Sequence, residues 1–567
     1  AGCGLIAKNR DGRVIKLEGN PDHPVNTGAL CIRGHAGLQA LYHPDRFRGA
    51  LAKGQPVAWD DAEKQVADKI AALAGSKQGG RIAIVSGLET GSLGRLMDEW
   101  VRLVGARPRI SYEPLAYEAV RAASRITFGR DAIREYAIGE AAYLVSFGAD
   151  FLETWLSPVA YTSDFSRMHA FYQGRTGTFV HVEPRVSLTA ANADEWVRNA
   201  PGTEGLLALA MLKVVVDEGL ATGGGDLNTL RSAIRSADVD AAASASGVPA
   251  DTIRRVARDL ARSKAGLVVG GGMAGAGSSS TDTLVAINLL NVAIGAVGPR
   301  VRFGSASAFG RANPYSDMVA LTQAMAGGQI DVLVLVDVNP VYAMPAKSGF
   351  ADALGKVPLV VALASRSSET TARAAVVLPT LHPLESWGDY SPQEGVLGLL
   401  QPAMGPVLIE GKPVQAKSPG DVFLGLGRRA LGLEEGKGPL PWPTFRDFLT
   451  EEWQKMARAQ GSVEPFPAYW EAALRRGGVW RNVQPTAMSL RPEAGRISAA
   501  PARLDGNGSH VLLVYPSSRF YDGRGADRAW LQEAPDPMTQ VSWDAWVEVP
   551  TETAARMGIR RGDLLTL

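Results

Sequence analysis

Cys3 and Cys31 are the only two cysteines among 567 residues. Both stand close to glycine, in Ala1-Gly2-Cys3-Gly4-Leu5 and Leu30-Cys31-Ile32-Arg33-Gly34, where backbone without Cβ atoms can come close to a bulky ligand. Thiolates are the ligands of soft metals and of iron–sulfur clusters, and two thiolates supply half of the four that such a cluster takes. The plainer reading is a pair of buried, inert thiols. They are too few for a disulfide framework and too far apart in sequence for a thiol-redox pair. His23, His35 and His43 lie near the cysteines; the seven histidines include no pair at zinc-site spacing, so these three read as loop-holding residues. A second stretch, Gly270-Gly271-Gly272-Met273-Ala274-Gly275, satisfies the Gly-x-Gly-x-x-Gly pattern of dinucleotide sites. Residues 291–297 lack the carboxylate that a nicotinamide ribose needs. The loop therefore points to close packing or to a different nucleotide.

The elements that must position these residues alternate between strand and helix. Residues 59–74 read as an amphipathic helix whose acidic first turn suits the helix dipole. Residues 81–87, 143–148, 178–182, 266–270, 332–336, 358–363 and 511–515 are short, valine-rich apolar runs, most of them followed by a loop and a helical stretch. That pattern predicts an α/β chain of mostly parallel sheets covered by helices on both faces. Ligands in such sheets lie beyond the carboxyl ends of the strands, so the loops after each strand carry the functional residues.

Composition narrows the function classes. The net charge is +1 with 21% charged and 46% hydrophobic residues, which gives no electrostatic case for nucleic acid. The longest uncharged, mostly apolar run, residues 284–298, spans 15 residues and is too short to cross a bilayer. There is no Gly-x-Ser-x-Gly elbow from which hydrolase chemistry could start.

The first 34 residues carry a family resemblance. Ala1-Gly2-Cys3-Gly4-Leu5, Asp11-Gly12-Arg13-Val14, Glu18-Gly19-Asn20-Pro21-Asp22-His23-Pro24-Val25-Asn26 and Leu30-Cys31-Ile32-Arg33-Gly34 resemble the amino-terminal module of molybdopterin oxidoreductases of the dimethyl-sulfoxide-reductase family. That module holds a [4Fe–4S] cluster. The resemblance makes Cys3 its third ligand, Cys31 its fourth and Arg33 the basic residue between cluster and pterin, with two further ligands expected before Ala1. It implies an iron–sulfur module at 1–50, a split α/β domain at 51–140 and 301–500, a nucleotide-binding-like α/β domain at 141–300, and the start of a carboxyl-terminal β-barrel at 501–567. Val182-Glu183-Pro184-Arg185, Pro201-Gly202-Thr203-Glu204-Gly205 and Val338-Asn339-Pro340 are similar to the family's nucleotide-holding loops. With Gly270 and Gly272, they make Glu183, Glu204 and Asn339 candidate cofactor contacts.

The departures from the family matter as much. Active members hold the pterin with an Asn-x-Glu-Gly-Arg run; here Pro392-Gln393-Glu394-Gly395-Val396 keeps Glu394 and loses the asparagine and the arginine. The loops at Glu183 and Glu204 carry Asp in active members. Arg109-Ile110-Ser111-Tyr112-Glu113-Pro114 aligns Ser111 with the molybdenum ligand, against the plainer reading of a solvated loop serine. These changes predict that no molybdopterin guanine dinucleotide is bound. Residues 147–158, Leu384-Glu385-Ser386-Trp387-Gly388-Asp389 and Tyr521-Asp522-Gly523-Arg524-Gly525-Ala526 look like the molybdopterin-like subunit of alternative complex III. What that resemblance implies is a scaffold or electron-relay subunit of a quinol-linked respiratory complex. It would lie on the periplasmic face of the membrane, exported by a removed signal. Its partners would be a ferredoxin-like iron–sulfur subunit, an integral-membrane quinol-binding subunit and a cytochrome c subunit. The alternative is a catalytic molybdenum enzyme of polysulfide-reductase type.

Overall fold

The computed structural model describes residues 2–171, 176–224, 226–498, 500–506 and 508–566. Two parallel sheets organise the chain. The larger has seven strands in the order Gln55–Pro56, Leu51–Ala52, Val376–Pro379, Leu359–Ala364, Val332–Val336, Ile82–Ser86 and Ile110–Ser111. All but the first two, which form a short antiparallel hairpin on one edge, run parallel. The chain leaves this sheet after Ile110–Ser111 and builds the smaller one. It then returns at Val332–Val336, paired residue for residue with Ile82–Ser86.

Strand periodicity explains why these runs are apolar throughout. In Ile82–Ser86, Ile82 and Ile84 enter the core beneath the helices Trp59–Gly75, Ser92–Val104 and Pro419–Leu431. Ala83 and Val85 face the opposite layer, with Tyr315–Ala326 and Phe350–Leu354. Val332–Val336 divides in the same way. Both faces of each strand are therefore dry, as a helix-covered parallel sheet requires. The predicted helix at 59–74 is Trp59–Gly75, with Asp60 and Asp61 in its first turn.

The smaller sheet is wholly parallel, in the order Glu195–Val197, Thr178–Val182, Tyr143–Phe147 and Gly266–Gly270. The long uncharged run forms most of the buried helix Ser280–Ala293 behind it. Asn291 stitches that helix to the sheet: its amide donates to Val268 O (2.7 Å) and accepts from Val268 N (3.0 Å). An antiparallel sheet of Gly388–Gln393, Val396–Leu400 and Gly478–Trp480 closes the side nearest the amino-terminal hairpin.

One strand predicted from sequence is not formed. Residues 511–515 are irregular, with Leu512 61% and Val514 77% exposed. β-Branched composition makes a strand only where a neighbour supplies the ladder, and the described residues offer none here. Among the described residues, no strand follows Gly478–Trp480; there is only an isolated bridge between Ser517 and Tyr521. Leu567, in the last apolar run of the sequence, lies outside the described residues.

Candidate functional site

The cysteine module is a hairpin, Leu5–Arg10 against Arg13–Gly19, followed by a loop that folds back on it. Asn26 fixes the loop by bonding Gly4 twice: its carbonyl accepts from Gly4 N (2.8 Å) and its amide donates to Gly4 O (3.1 Å). Gly4 lies against the His23 ring so tightly that a Cβ there would sit 2.5 Å from it. Cys31 caps the short helix Ile32–His35, its carbonyl accepting from Gly34 N and His35 N. Cys3 and Cys31 are both free thiols of intermediate exposure. Burial pushes the Cys3 thiol up; Cys31 adds to this, and Arg33 opposes it. Arg33 follows Cys31 by two residues, in the helix Ile32–His35. Among the described residues, no group of three or more His, Cys, Asp or Glu stands ready for a metal ion. The histidines hold loops, as their positions suggested: His35 Nδ1 meets Leu17 O at 2.9 Å, and His43 Nδ1 accepts from Asp45 N.

A central cleft of about 1740 Å³ opens at the carboxyl ends of the large sheet. Its walls include Gly87 and Glu89 after Ile82–Ser86, and Asp337 and Asn339 after Val332–Val336. Arg366 and His382 follow the next two strands, and Cys3 stands at one rim. Burial first, then the charge of Asp337, pushes Glu89 up to about 7. Burial also raises Asp337, which Arg366 and Arg524 counter. Burial lowers His382 to about 4, so it is neutral at pH 7. Arg524 donates to Glu113 (2.6 Å) and Asp522 (2.6 Å), and Arg366 is paired with Asp527. Asn339 donates to Glu369 (2.6 Å) and accepts from the Thr370 hydroxyl (2.7 Å).

The loops of the small sheet are filled by protein. Glu183 is fully buried, with His181 Nε2 at 3.2 Å. Arg185 lies within 4 Å of Asp150, Glu153 and Glu183, and its guanidinium stacks 3.6 Å from the Tyr515 ring centroid. Burial, then Asp150, pushes Glu153 up to about 8. Glu204 accepts from Asn199 Nδ2 (2.9 Å). The carboxyl-terminal segment crosses these loops: Ala502 N donates to Gly202 O and Arg503 N to the Ser278 hydroxyl. The glycine-rich loop serves packing. A Cβ on Gly270 would meet Ile287 at 2.3 Å, on Gly271 the Trp155 indole nitrogen at 2.0 Å, and on Gly272 the carbonyl of Gly148 at 2.2 Å.

With this geometry in place, residues 1–43 match the family described as Molybdopterin oxidoreductase Fe4S4 domain, and residues 51–409 match Molybdopterin oxidoreductase. The chain belongs to the molybdopterin oxidoreductase family. It is similar to the molybdopterin-binding-like subunit of menaquinone reductase from Nitratidesulfovibrio vulgaris, 29% identical over 512 residues, or 87% of this chain and 70% of that one. It is also similar to the molybdopterin-containing subunit of an arsenate respiratory reductase from a Shewanella species, 31% identical over 228 residues, or 37% of this chain and 25% of that one. Acetylene hydratase from Pelobacter acetylenicus has the same fold, with a TM-score of 0.64 at 18% identity over 80% of this chain and 72% of that one.

Set against the molybdopterin oxidoreductase resemblance, the candidate residues divide. Cys3 and Asn339 line the central cleft. Ser111 is not among the cleft-lining residues: it is buried at the end of the large sheet, and its hydroxyl donates to Gly87 O (3.2 Å). Glu113, two residues on, lines the cleft instead. Glu394 is exposed in the turn of the antiparallel hairpin and also outside the cleft lining. Glu183, Glu204, Gly270 and Gly272 belong to the small sheet's packed loops, and Arg33 lies against Glu153 and Tyr521. Glu89, Asp337, Arg366 and His382 were not singled out from sequence. Glu89 and Asp337 follow strands read correctly, so applying the strand-end rule residue by residue would have found them.

Proposed function

We propose that this chain is the large, electron-relaying subunit of a quinone-linked oxidoreductase complex. On this reading it carries one [4Fe–4S] cluster through Cys3 and Cys31, and its central cleft holds no molybdenum pterin. The observation that carries the first part is a pair of free cysteines with Arg33 on a module of the Fe4S4 family, in which Asn26, on the loop leading to Cys31, bonds Gly4 beside Cys3 twice. The donor set fits half of a cluster. A cluster there supplies a one-electron carrier. Cys3 and Cys31 bind it, Asn26 and His23 fix the Gly4 backbone beside it, and Arg33 supplies positive charge close by.

The second part rests on a poor fit between the cleft and a phosphate-rich dinucleotide. Arginine forks are the strongest donors for phosphate; Arg524 is spent on Glu113 and Asp522 and Arg366 is ion-paired with Asp527, while Arg528 is a cleft arginine whose Nε has no partner. Glu89 and Asp337 would face the phosphates with like charge as they ionise. The amide of Asn339 is committed to Glu369 and Thr370, and Val396 is buried where active members carry arginine. Arg185 is covered by Tyr515.

The quinone link is supported by the likeness to a menaquinone reductase subunit. No helix of the described residues is long and apolar enough to cross a membrane. The reading assigns membrane contact to an integral-membrane quinol-binding partner on the periplasmic side, with a ferredoxin-like subunit and a cytochrome c subunit as electron partners. A second reading, a catalytic enzyme with a molybdenum bis-pterin centre, is favoured by the match of residues 51–409 and by the volume of the cleft. Metal analysis of the purified complex separates the two. The expected result is no molybdenum, and a loss of about four iron atoms per complex in Cys31→Ser. Stoichiometric molybdenum would establish the second reading, and unchanged iron in Cys31→Ser would remove the cluster.

A further inference from the structure

The Tyr521-Asp522-Gly523-Arg524 stretch, far along the chain from the cysteines, packs on Arg33, two residues after Cys31. The ring of Tyr521 lies 5.1 Å from the Arg33 guanidinium carbon and 5.5 Å from that of Arg524. One aromatic face system is thus shared between the cation of the cysteine module and a cation of the central cleft, an attraction that strengthens as the site is desolvated. Arg33 is otherwise held by a single long hydrogen bond to Glu153 O (3.3 Å).

The ring is itself held in place. Tyr521 and Ser517 bond backbone to backbone in both directions (2.7 and 3.0 Å), with Tyr521 in the left-handed region at φ 60°. A non-glycine residue there costs energy and persists only where its surroundings fix it. Its hydroxyl lies 3.3 Å from that of Tyr117. Tyr117 accepts from Leu156 N (2.9 Å) and gives its one proton to Thr154 O (3.2 Å). The Tyr521 hydroxyl must therefore be the donor of the pair. Three separate stretches of chain, around residues 117, 154 and 517, converge to aim one ring at Arg33.

We propose that Tyr521 is a positioning residue for the cluster: it holds the Arg33 guanidinium beside Cys3 and Cys31 and so raises the cluster's reduction potential, with Tyr117 holding Tyr521. This rests on the cluster reading above. A fixed cation near the site favours the form carrying one more electron, and groups outside the ligand shell tune metal potentials in this way. The step is one electron from an external reductant to the cluster, with no bond made or broken.

The test is a dithionite titration of the intact purified complex, followed by the electron-paramagnetic-resonance signal of the reduced cluster. Tyr521→Leu should lower the midpoint, by a roughly tenfold fall in the reduced-to-oxidised ratio at fixed potential, about 59 mV for one electron. Tyr521→Phe keeps the ring and should recover most of the loss. Arg33→Gln should shift in the same direction, and the double variant Arg33→Gln/Tyr521→Leu no further than Arg33→Gln alone. An unchanged midpoint in Tyr521→Leu, or additive shifts in the double variant, overturns the proposal. If Tyr521→Leu does not assemble, Tyr117→Phe decides: a smaller fall supports the proposal and no fall overturns it. The unaltered complex is the control. The signal assigned to this cluster is the one that Cys31→Ala removes while the partner subunit's signals stay; if Cys31→Ala removes none, the cluster reading itself is refuted, whereas a signal so assigned that ignores Tyr521 refutes only the positioning role.

Discussion

Arg46 and Glu385 form the most completely buried ion pair joining the cysteine module to the large domain, and breaking it should be costly in a calculable way. Their side chains are 1% and 0% exposed, with Nη1–Oε1 at 2.8 Å and Nη2–Oε2 at 2.7 Å. Glu385 also accepts from the backbone N–H groups of His382 (2.7 Å) and Val407 (2.8 Å). Arg46→Leu removes both charge-assisted bonds and leaves a carboxylate in the interior with two backbone donors. Removing one partner of such a pair costs about 3–5 kcal/mol. A chain of this size does not unfold in one step, so the quantity to measure is local opening. Hydrogen exchange of the amides at residues 41–47 and 382–407 should quicken at least about 100-fold, since every 1.4 kcal/mol is tenfold. His382 N and Val407 N bond different oxygens of Glu385, so Glu385→Gln keeps an acceptor for only one of them; with both charges gone, the double variant should still be less damaged than the sum of the singles, with a coupling of about 2 kcal/mol or more. Acceleration below about tenfold, or strict additivity, would refute the assignment of this energy to the pair.

Two further outcomes follow from the same physics. Glu89 is raised to about 7, so the folded chain holds a proton that the unfolded chain releases above the ordinary carboxylate range. Stability therefore falls as pH rises from about 4.5 to 7, by at most about 3 kcal/mol, and Glu89→Gln should remove that fall and gain on the wild type at pH 8 relative to pH 5 in denaturation midpoints. Gly271→Ala forces a Cβ to 2.0 Å from Trp155; it should cost about 1–3 kcal/mol of local stability, read by hydrogen exchange of the amides at residues 266–276, while nicotinamide titrations stay flat in both forms.

Residues with a local physical signature were legible in the sequence. Ile82–Ser86 and Val332–Val336 are read from apolar runs because both faces of each strand are dry. The glycine-rich loop was legible as close packing or a different nucleotide, because its missing ribose partner argued against nicotinamide. The indole it packs on, Trp155, lies more than a hundred positions away and carries no sequence sign of the contact. Residues 511–515 failed for the complementary reason: their composition suits a strand, but pairing depends on a neighbour that composition does not report. Ser111 and Glu394 were placed by alignment to a motif. The fold keeps the motif's position and turns these residues away from the cleft, Ser111 towards the Gly87 carbonyl and Glu394 towards solvent.

On the proposed reading, polar groups of the cleft and of the small sheet's loops contact one another, and this ties the relay reading to the architecture. Arg185 stacks on Tyr515, Asn339 binds Glu369 and Thr370, and Arg524 bridges Glu113 and Asp522. The bonds of Asn339 and Arg524 pair polar groups at the cleft, whereas Arg185 Nε has no hydrogen-bond partner beneath Tyr515. Two of the three bring in residues beyond 510, so these contacts also fasten the carboxyl-terminal segment to the rest of the chain. That segment also carries Tyr521 to Arg33 and Arg528 to the Arg33 carbonyl (3.5 Å). On the proposed reading, replacing cofactor contacts by internal ones costs the chain its substrate chemistry. It leaves the cysteine module braced from the cleft side, which suits a subunit whose task is to hold one cluster at a fixed place and potential.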